Sequence, residues 1–160
     1  MNEGSGHLLT RAVDAGSGFQ AVLQGFKRDR ENLIPYPAFG RLLSECERRS
    51  NCEHITLLIS QHTRLTDFGL AGQIALCAEY AGEGLQRFAD HFNMHSSATT
   101  ASVITSGQFT RFVYAIAEQG MTSTRQLQLG AMVTAYNVLR DLFGSAWLPT
   151  VITIASRPPA

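Results

Sequence analysis

Five polar residues stand on otherwise apolar stretches where they could grip a ligand: His91, His95, Arg111, Tyr114 and Tyr136. Arg111 would anchor an acidic effector, because a guanidinium holds a carboxylate through two parallel hydrogen bonds. Tyr114 shares an alternating run with Arg111, and Tyr136 belongs to a helical run further on. The two histidines are four residues apart and would project from one face of a helix, a spacing that also suits a shared zinc. A metal is not the preferred reading, since no HExxH sequence is present and Arg87, one turn earlier, would repel a cation. The competing reading of the set has Arg111 on the outer face of a hairpin and Tyr136 in the core with its hydroxyl satisfied.

Other chemistries fare worse. Asp67-Phe68-Gly69 spells the magnesium-binding tripeptide of protein kinases, but no Gly-rich phosphate loop and no HRD sequence accompany it. It reads as a tight turn with Phe68 plugged into the core. His62, Cys77 and Tyr80 are lone candidates for haem ligation and read as structural. No Gly-x-Ser-x-Gly elbow is present, and Gly4-Ser5-Gly6 and Gly16-Ser17-Gly18 read as linkers. No catalytic residue, metal or cofactor is assigned. Cys46, Cys52 and Cys77 are odd in number and lack a CxxC, so reduced thiols in a cytoplasmic protein are expected.

These residues need elements to place them. Residues 1–18 read as a loose arm, followed by a short amphipathic helix through Phe19, Val22, Leu23 and Phe26. Pro37 suits the first position of a helix carrying Phe39, Leu42, Leu43 and Cys46 on one stripe, with Ser50-Asn51 as its stop. His54 to Gln61 leans helical. Leu70 to Tyr80 is apolar on most sides, and Gly72 would allow a neighbour close. Gly82 to Gly84 punctuates, and Leu85, Phe88, Ala89 and Phe92 mark another amphipathic helix. Thr99 to Ile116 predicts a hairpin, with Ser106-Gly107 as its turn. Ser123 with Gln126 forms a capping box for a helix over 124–143. That helix has two apolar stripes, so it should be largely buried. Gly144 suits its C-terminal cap, and residues 150–155 read as a short strand.

The order predicts an α+β fold: a helical N-terminal half and a small, mainly antiparallel sheet packed on the long helix 124–143. The sheet would comprise the hairpin 99–116 and the strand 150–155. Residues 19–160 then form a single domain behind the arm 1–18. The 160 residues are 44% hydrophobic and 16% charged, which can support a packed core. Thirteen basic residues balance thirteen acidic ones, which argues against a nucleic-acid clamp. No membrane span or signal peptide is visible in the chain.

Three stretches together resemble one family. Arg30 to Leu43 runs from a polar lead through Ile34-Pro35 into an apolar helix. Asp67-Phe68-Gly69-Leu70-Ala71-Gly72 is followed by Leu85-Gln86-Arg87-Phe88 and His91-Phe92. The end runs Leu139-Arg140-Asp141-Leu142-Phe143-Gly144, Trp147, Pro149, Val151, then Ser156 to Ala160. Order and spacing over roughly residues 19–160 resemble the N-terminal effector-binding and oligomerisation domain of AraC-type transcriptional regulators of the ornithine-utilisation-regulator kind. Ile55-Thr56-Leu57 and Ser60 depart from positions where that family often has glycine.

The resemblance implies a non-enzymatic sensory domain. It would bind a small-molecule effector of unknown identity, form a homodimer, and touch DNA only through a helix-turn-helix domain beyond this chain, before which the chain reads as truncated. The fragment alone should not bind duplex DNA. Two other classes compete: a pure dimerisation module without ligand, and a small enzyme. The effector pocket is expected where the hairpin meets the helices.

Overall fold

The computed structural model describes residues 35–117 and 124–155. The expected arm over 1–18, the helix from Phe19 and the cap at Ser123 lie outside the described residues.

Helix α1 spans Tyr36–Ser50. Pro35 is extended and cannot continue a helix backward, whereas Pro37 in the first turn needs no donor. The helix stops at Asn51, which turns left-handed (φ 49°) and gives its N–H to the Glu47 carbonyl. Helix α2, Ile55–Ser60, settles the ambiguous stretch as helical. A 3-10 turn, Leu65–Phe68, leads into helix α3, Gly69–Leu76. The turn can fold back on α3 because residue 72 is glycine: a Cβ there would lie 2.0 Å from the Leu65 carbonyl oxygen.

Helix α4 spans Ala81–Asp90, so Gly82 to Gly84 lies inside a helix and does not punctuate. Gly84 instead lets two neighbours in. A Cβ at this position would sit 2.9 Å from the Ala75 carbonyl of α3 and 3.0 Å from Leu142 Cδ2. A second 3-10 turn, Phe92–Met94, follows.

Strands β1, Thr99–Ser106, and β2, Phe109–Ile116, pair antiparallel from Thr99↔Ile116 to Ser106↔Phe109. Gly107 supplies the positive φ that the tight turn requires. Alternation along β2 sends Phe112 and Tyr114 inward and leaves Arg111 and Val113 exposed.

Helix α5 spans Arg125–Phe143 and ends at Gly144, φ 97°, whose N–H bonds the Arg140 carbonyl. Its cap differs from the expected box. Thr124 is the N-cap without a side-chain bond, and Gln126 points inward. The helix is also less buried than its two stripes predict. Leu127, Leu129 and Val138 are buried, but most of its residues are half-buried and Phe143 is exposed.

The chain is α+β, with five helices and one two-stranded antiparallel sheet among the described residues. Two details of the expected sheet are corrected. Residues 150–155 form no strand, because no neighbouring backbone pairs with them. The hairpin also rests on α4 and the second 3-10 turn, while α5 packs chiefly on α2, with α4 and α1 beside it. The core that joins these parts is aromatic: Phe68, Phe88 and Phe92, closed by Leu65, Ala71 and Val138. Phe68 meets Phe88 edge to face at a ring-centroid distance of 5.0 Å.

Candidate functional site

Because the hairpin and α5 lean on different neighbours, a gap remains between them. It is a cleft of about 320 Å³. Its two sides differ in chemistry for reasons visible in the sequence. The α5 side carries Leu127, Gly130, Ala131, Thr134, Ala135 and Val138, mostly small residues that leave room. The opposite side is ringed: Tyr36 and Phe39 from α1, Phe68, Phe88 and Phe92 from the core, and Phe112 and Tyr114 from β2.

Polar groups gather in one part of this apolar space. The phenol oxygens of Tyr36 and Tyr114 are 2.5 Å apart. Burial pushes the Tyr114 phenol well above the usual range, and the bond to Tyr36 raises it further. The Tyr36 phenol is raised by burial too, tempered by the bond to Tyr114. Both therefore stay protonated, and one donates to the other. Thr99 lies beside them. Its buried hydroxyl approaches Tyr114 and completes no regular hydrogen bond. The result is a row of three neutral hydroxyls, each able to donate or accept.

Charge is scarce. No lysine or arginine lines the cleft among the described residues, and its one carboxylate is Asp67. That carboxylate accepts the Arg64 backbone N–H at 2.8 Å. His95 lines the cleft with its ring 4.5 Å from Phe68 and 5.7 Å from Phe92. Partial burial against these rings lowers its pKa, which favours the neutral imidazole.

Side chains of α5 secure the rim. Asn137 Nδ2 donates to the carbonyls of Ser60 and Thr63 at 3.0 Å each and to that of Gln61 at 3.2 Å. Asp141 accepts the Leu65 N–H at 2.9 Å and pairs with Arg64. Inside the same seam, Thr56 donates to Gln126 Oε1 at 2.6 Å, and Gln126 Nε2 donates to the Glu53 carbonyl at 2.9 Å. These bonds set Ser60 and Thr63 at the cleft edge.

Of the five residues singled out from the sequence, the cleft takes in Tyr114 and His95. The other three lie elsewhere. Arg111 is exposed on the outer face of the hairpin, opposite Ile104. Tyr136 is on the far side of α5, against Trp147 and under the Arg140 guanidinium. His91 and His95 do not share a helix, because α4 ends at Asp90 and a 3-10 turn separates them. His91 Nδ1 donates to the Arg87 carbonyl at 2.9 Å. Among the described residues, no three His, Cys, Asp or Glu side chains gather as a metal site.

Tyr36 and Thr99 were missed by sequence reasoning. A signal for Tyr36 existed. It shares a stripe with Phe39 and Leu43 at i, i+3 and i+7, so it is a polar-tipped ring on an inward face. A second depression, about 370 Å³, lies at Ser44, Glu47, Asn51 and Glu53. It is open and polar, and Arg125 bridges its Glu47 and Glu53 carboxylates.

The model of one protein family, the arabinose-binding N-terminal domain of AraC transcription regulators, matches residues 15–160. No curated protein matches the chain. The chain belongs to this family of regulator ligand-binding domains.

Proposed function

We propose that this AraC-family domain is a sensor that binds a small-molecule effector in the cleft between α5 and the hairpin. The observation that carries the reading is the cleft itself. It lies within the size range of small-molecule sites and is mainly apolar, with a few convergent polar groups. An effector seated there would touch α1, β2 and α5 together. Its occupancy could reach a DNA-binding domain outside this chain only through different affinities for two states of the domain.

We read the domain as non-enzymatic and cytoplasmic. The cleft's imidazole packs on phenyl rings, and the Tyr36 and Tyr114 hydroxyls bond each other. Among the described residues, no helix is long and apolar enough to cross a membrane. Homodimerisation belongs to the same proposal. Leu148, Val151 and Ile152 stand exposed beyond α5, and a second subunit could cover them.

The test is a thermal-shift screen of the chain against a broad set of metabolites, repeated with Ala131→Phe, which fills the cleft. A compound that raises the melting temperature of the native chain and leaves the variant unmoved supports the reading. Universal failure to shift the native chain overturns it in favour of a dimerisation module.

A further inference from the structure

The effector reading leaves the chemistry of the effector open, and the cleft narrows it. Three observations bear on this. The first is charge. An anion buried in the cleft would find no lysine or arginine among the described lining residues, and uncompensated burial of a charge is costly. Among the described lining residues a cation's one carboxylate partner would be Asp67, which lies on the exposed rim and is already engaged by the Arg64 backbone. The second is volume. About 320 Å³ lies at the lower end of the range for small-molecule sites, which suits a compact ligand. Small residues on one wall and rings on the other suit a flat body between them.

The third observation concerns the hydroxyls. In the Tyr36–Tyr114 pair, one O–H donates to the other oxygen, leaving the second phenol's proton for another acceptor. Thr99 adds a buried hydroxyl that completes no regular bond. A buried hydroxyl without a full partner costs free energy, so this row favours a ligand oxygen that completes it. A sugar carries several hydroxyls around its ring, more than this row can partner, and has to find the rest among scattered groups such as Thr134, Ser60 and Thr63. A ligand with one such oxygen meets no such demand.

Resting on the effector reading, we propose that the cleft selects a small, uncharged, single-ring compound whose lone hydroxyl or carbonyl oxygen docks on the hydroxyl row of Tyr36, Tyr114 and Thr99. The charged anchor expected at Arg111 plays no part, since that side chain faces away.

The test holds one ring constant and varies its head. Benzyl alcohol, benzoate, benzylammonium and toluene are titrated into the 160-residue chain by ligand-observed NMR, with L-arabinose as the polar comparison. Benzyl alcohol should bind about tenfold more tightly than toluene, the worth of one hydrogen bond. It should exceed benzoate and benzylammonium by about a hundredfold, reflecting charge burial. In the double variant Tyr36→Phe/Tyr114→Phe, toluene binding should persist as evidence of an intact cleft, while the preference for benzyl alcohol shrinks to about twofold.

Equal or tighter binding of benzoate or benzylammonium, or binding of L-arabinose in place of benzyl alcohol, overturns the proposed class. If Ala131→Phe abolishes that binding, the effector reading survives. A double variant that keeps the full preference for benzyl alcohol overturns the role given to the hydroxyl row. Failure of all five probes also overturns the class, and the metabolite screen then decides the effector reading separately.

Discussion

The Thr56 hydroxyl and the Gln126 amide oxygen meet at 2.6 Å, with both side chains buried between α2 and α5. Gln126 also donates to the Glu53 carbonyl, so one side chain ties the start of α5 to α2 and the loop before it. Gln126→Ala strands the Thr56 hydroxyl and leaves the Glu53 carbonyl with only the longer bond from Arg125 Nη1 at 3.4 Å. We expect it to cost about 1–3 kcal/mol in urea unfolding, and Thr56→Val/Gln126→Leu to recover much of that loss. If Thr56→Val/Gln126→Leu loses the full sum of what Thr56→Val and Gln126→Leu lose singly, the pair is not coupled.

The two glycine positions 72 and 82 should respond in opposite directions. At residue 72 a Cβ would meet the Leu65 carbonyl at 2.0 Å, and backbone cannot step aside cheaply. Gly72→Ala should therefore cost about 3 kcal/mol or more. At residue 82, on the exposed first turn of α4, a Cβ meets nothing within 4 Å. Gly82→Ala should stabilise by about 0.5 kcal/mol through helix propensity. Thermal unfolding of the two variants reads both signs, and a harmless Gly72→Ala would contradict the close approach.

What the sequence revealed follows how local the cause is. Pro37, Asn51, Gly107 and Gly144 act through their own φ angles, and the α1, hairpin and α5 boundaries follow from them. Gly84 and Gln126 act through partners far along the chain, Leu142 for the glycine and Thr56 for the glutamine. Local rules therefore misread them as a break and a cap. Residues 150–155 have strand-forming side chains, but a strand also needs a paired edge. The site was legible in the same partial way. The inward parity of β2 marks Tyr114 and excludes Arg111, whereas Thr99 and Tyr36 matter only because the fold brings both to Tyr114.

Stability should fall as the solution is made mildly acidic, with His95 contributing. Its ring lies against Phe68 and Phe92, and burial lowers its pKa, although part of the residue remains exposed. Between the lowered folded value and the ordinary value near 6.5, the unfolded chain binds more protons than the folded one. The contribution is therefore complete above about pH 6.5 and lost as pH falls below it. Urea midpoints at about pH 5 and about pH 7.5 should differ less in His95→Phe than in the native chain. An unchanged difference would remove His95 from the account.

The rim bonds from α5 link stability to binding. Asn137 caps three carbonyls of the loop after α2, and one turn later Asp141 receives the Leu65 N–H. Asp141→Asn can keep the bond to Leu65 and lose only the ion pair with Arg64, whose side chain is 67% exposed. It should change stability by less than about 1 kcal/mol. Asn137→Ala removes the side-chain donor from the Gln61 and Thr63 carbonyls and leaves the Ser60 carbonyl with the Thr63 N–H alone, and we expect a loss of about 1–3 kcal/mol. Because Ser60 and Thr63 line the cleft, the same variant should accelerate amide exchange over residues 61–65 and weaken the binding of any cleft ligand. Asp141→Asn should leave both nearly untouched. If Asn137→Ala lowers stability without changing exchange or binding, the loop is held by other contacts and the rim does not shape the site.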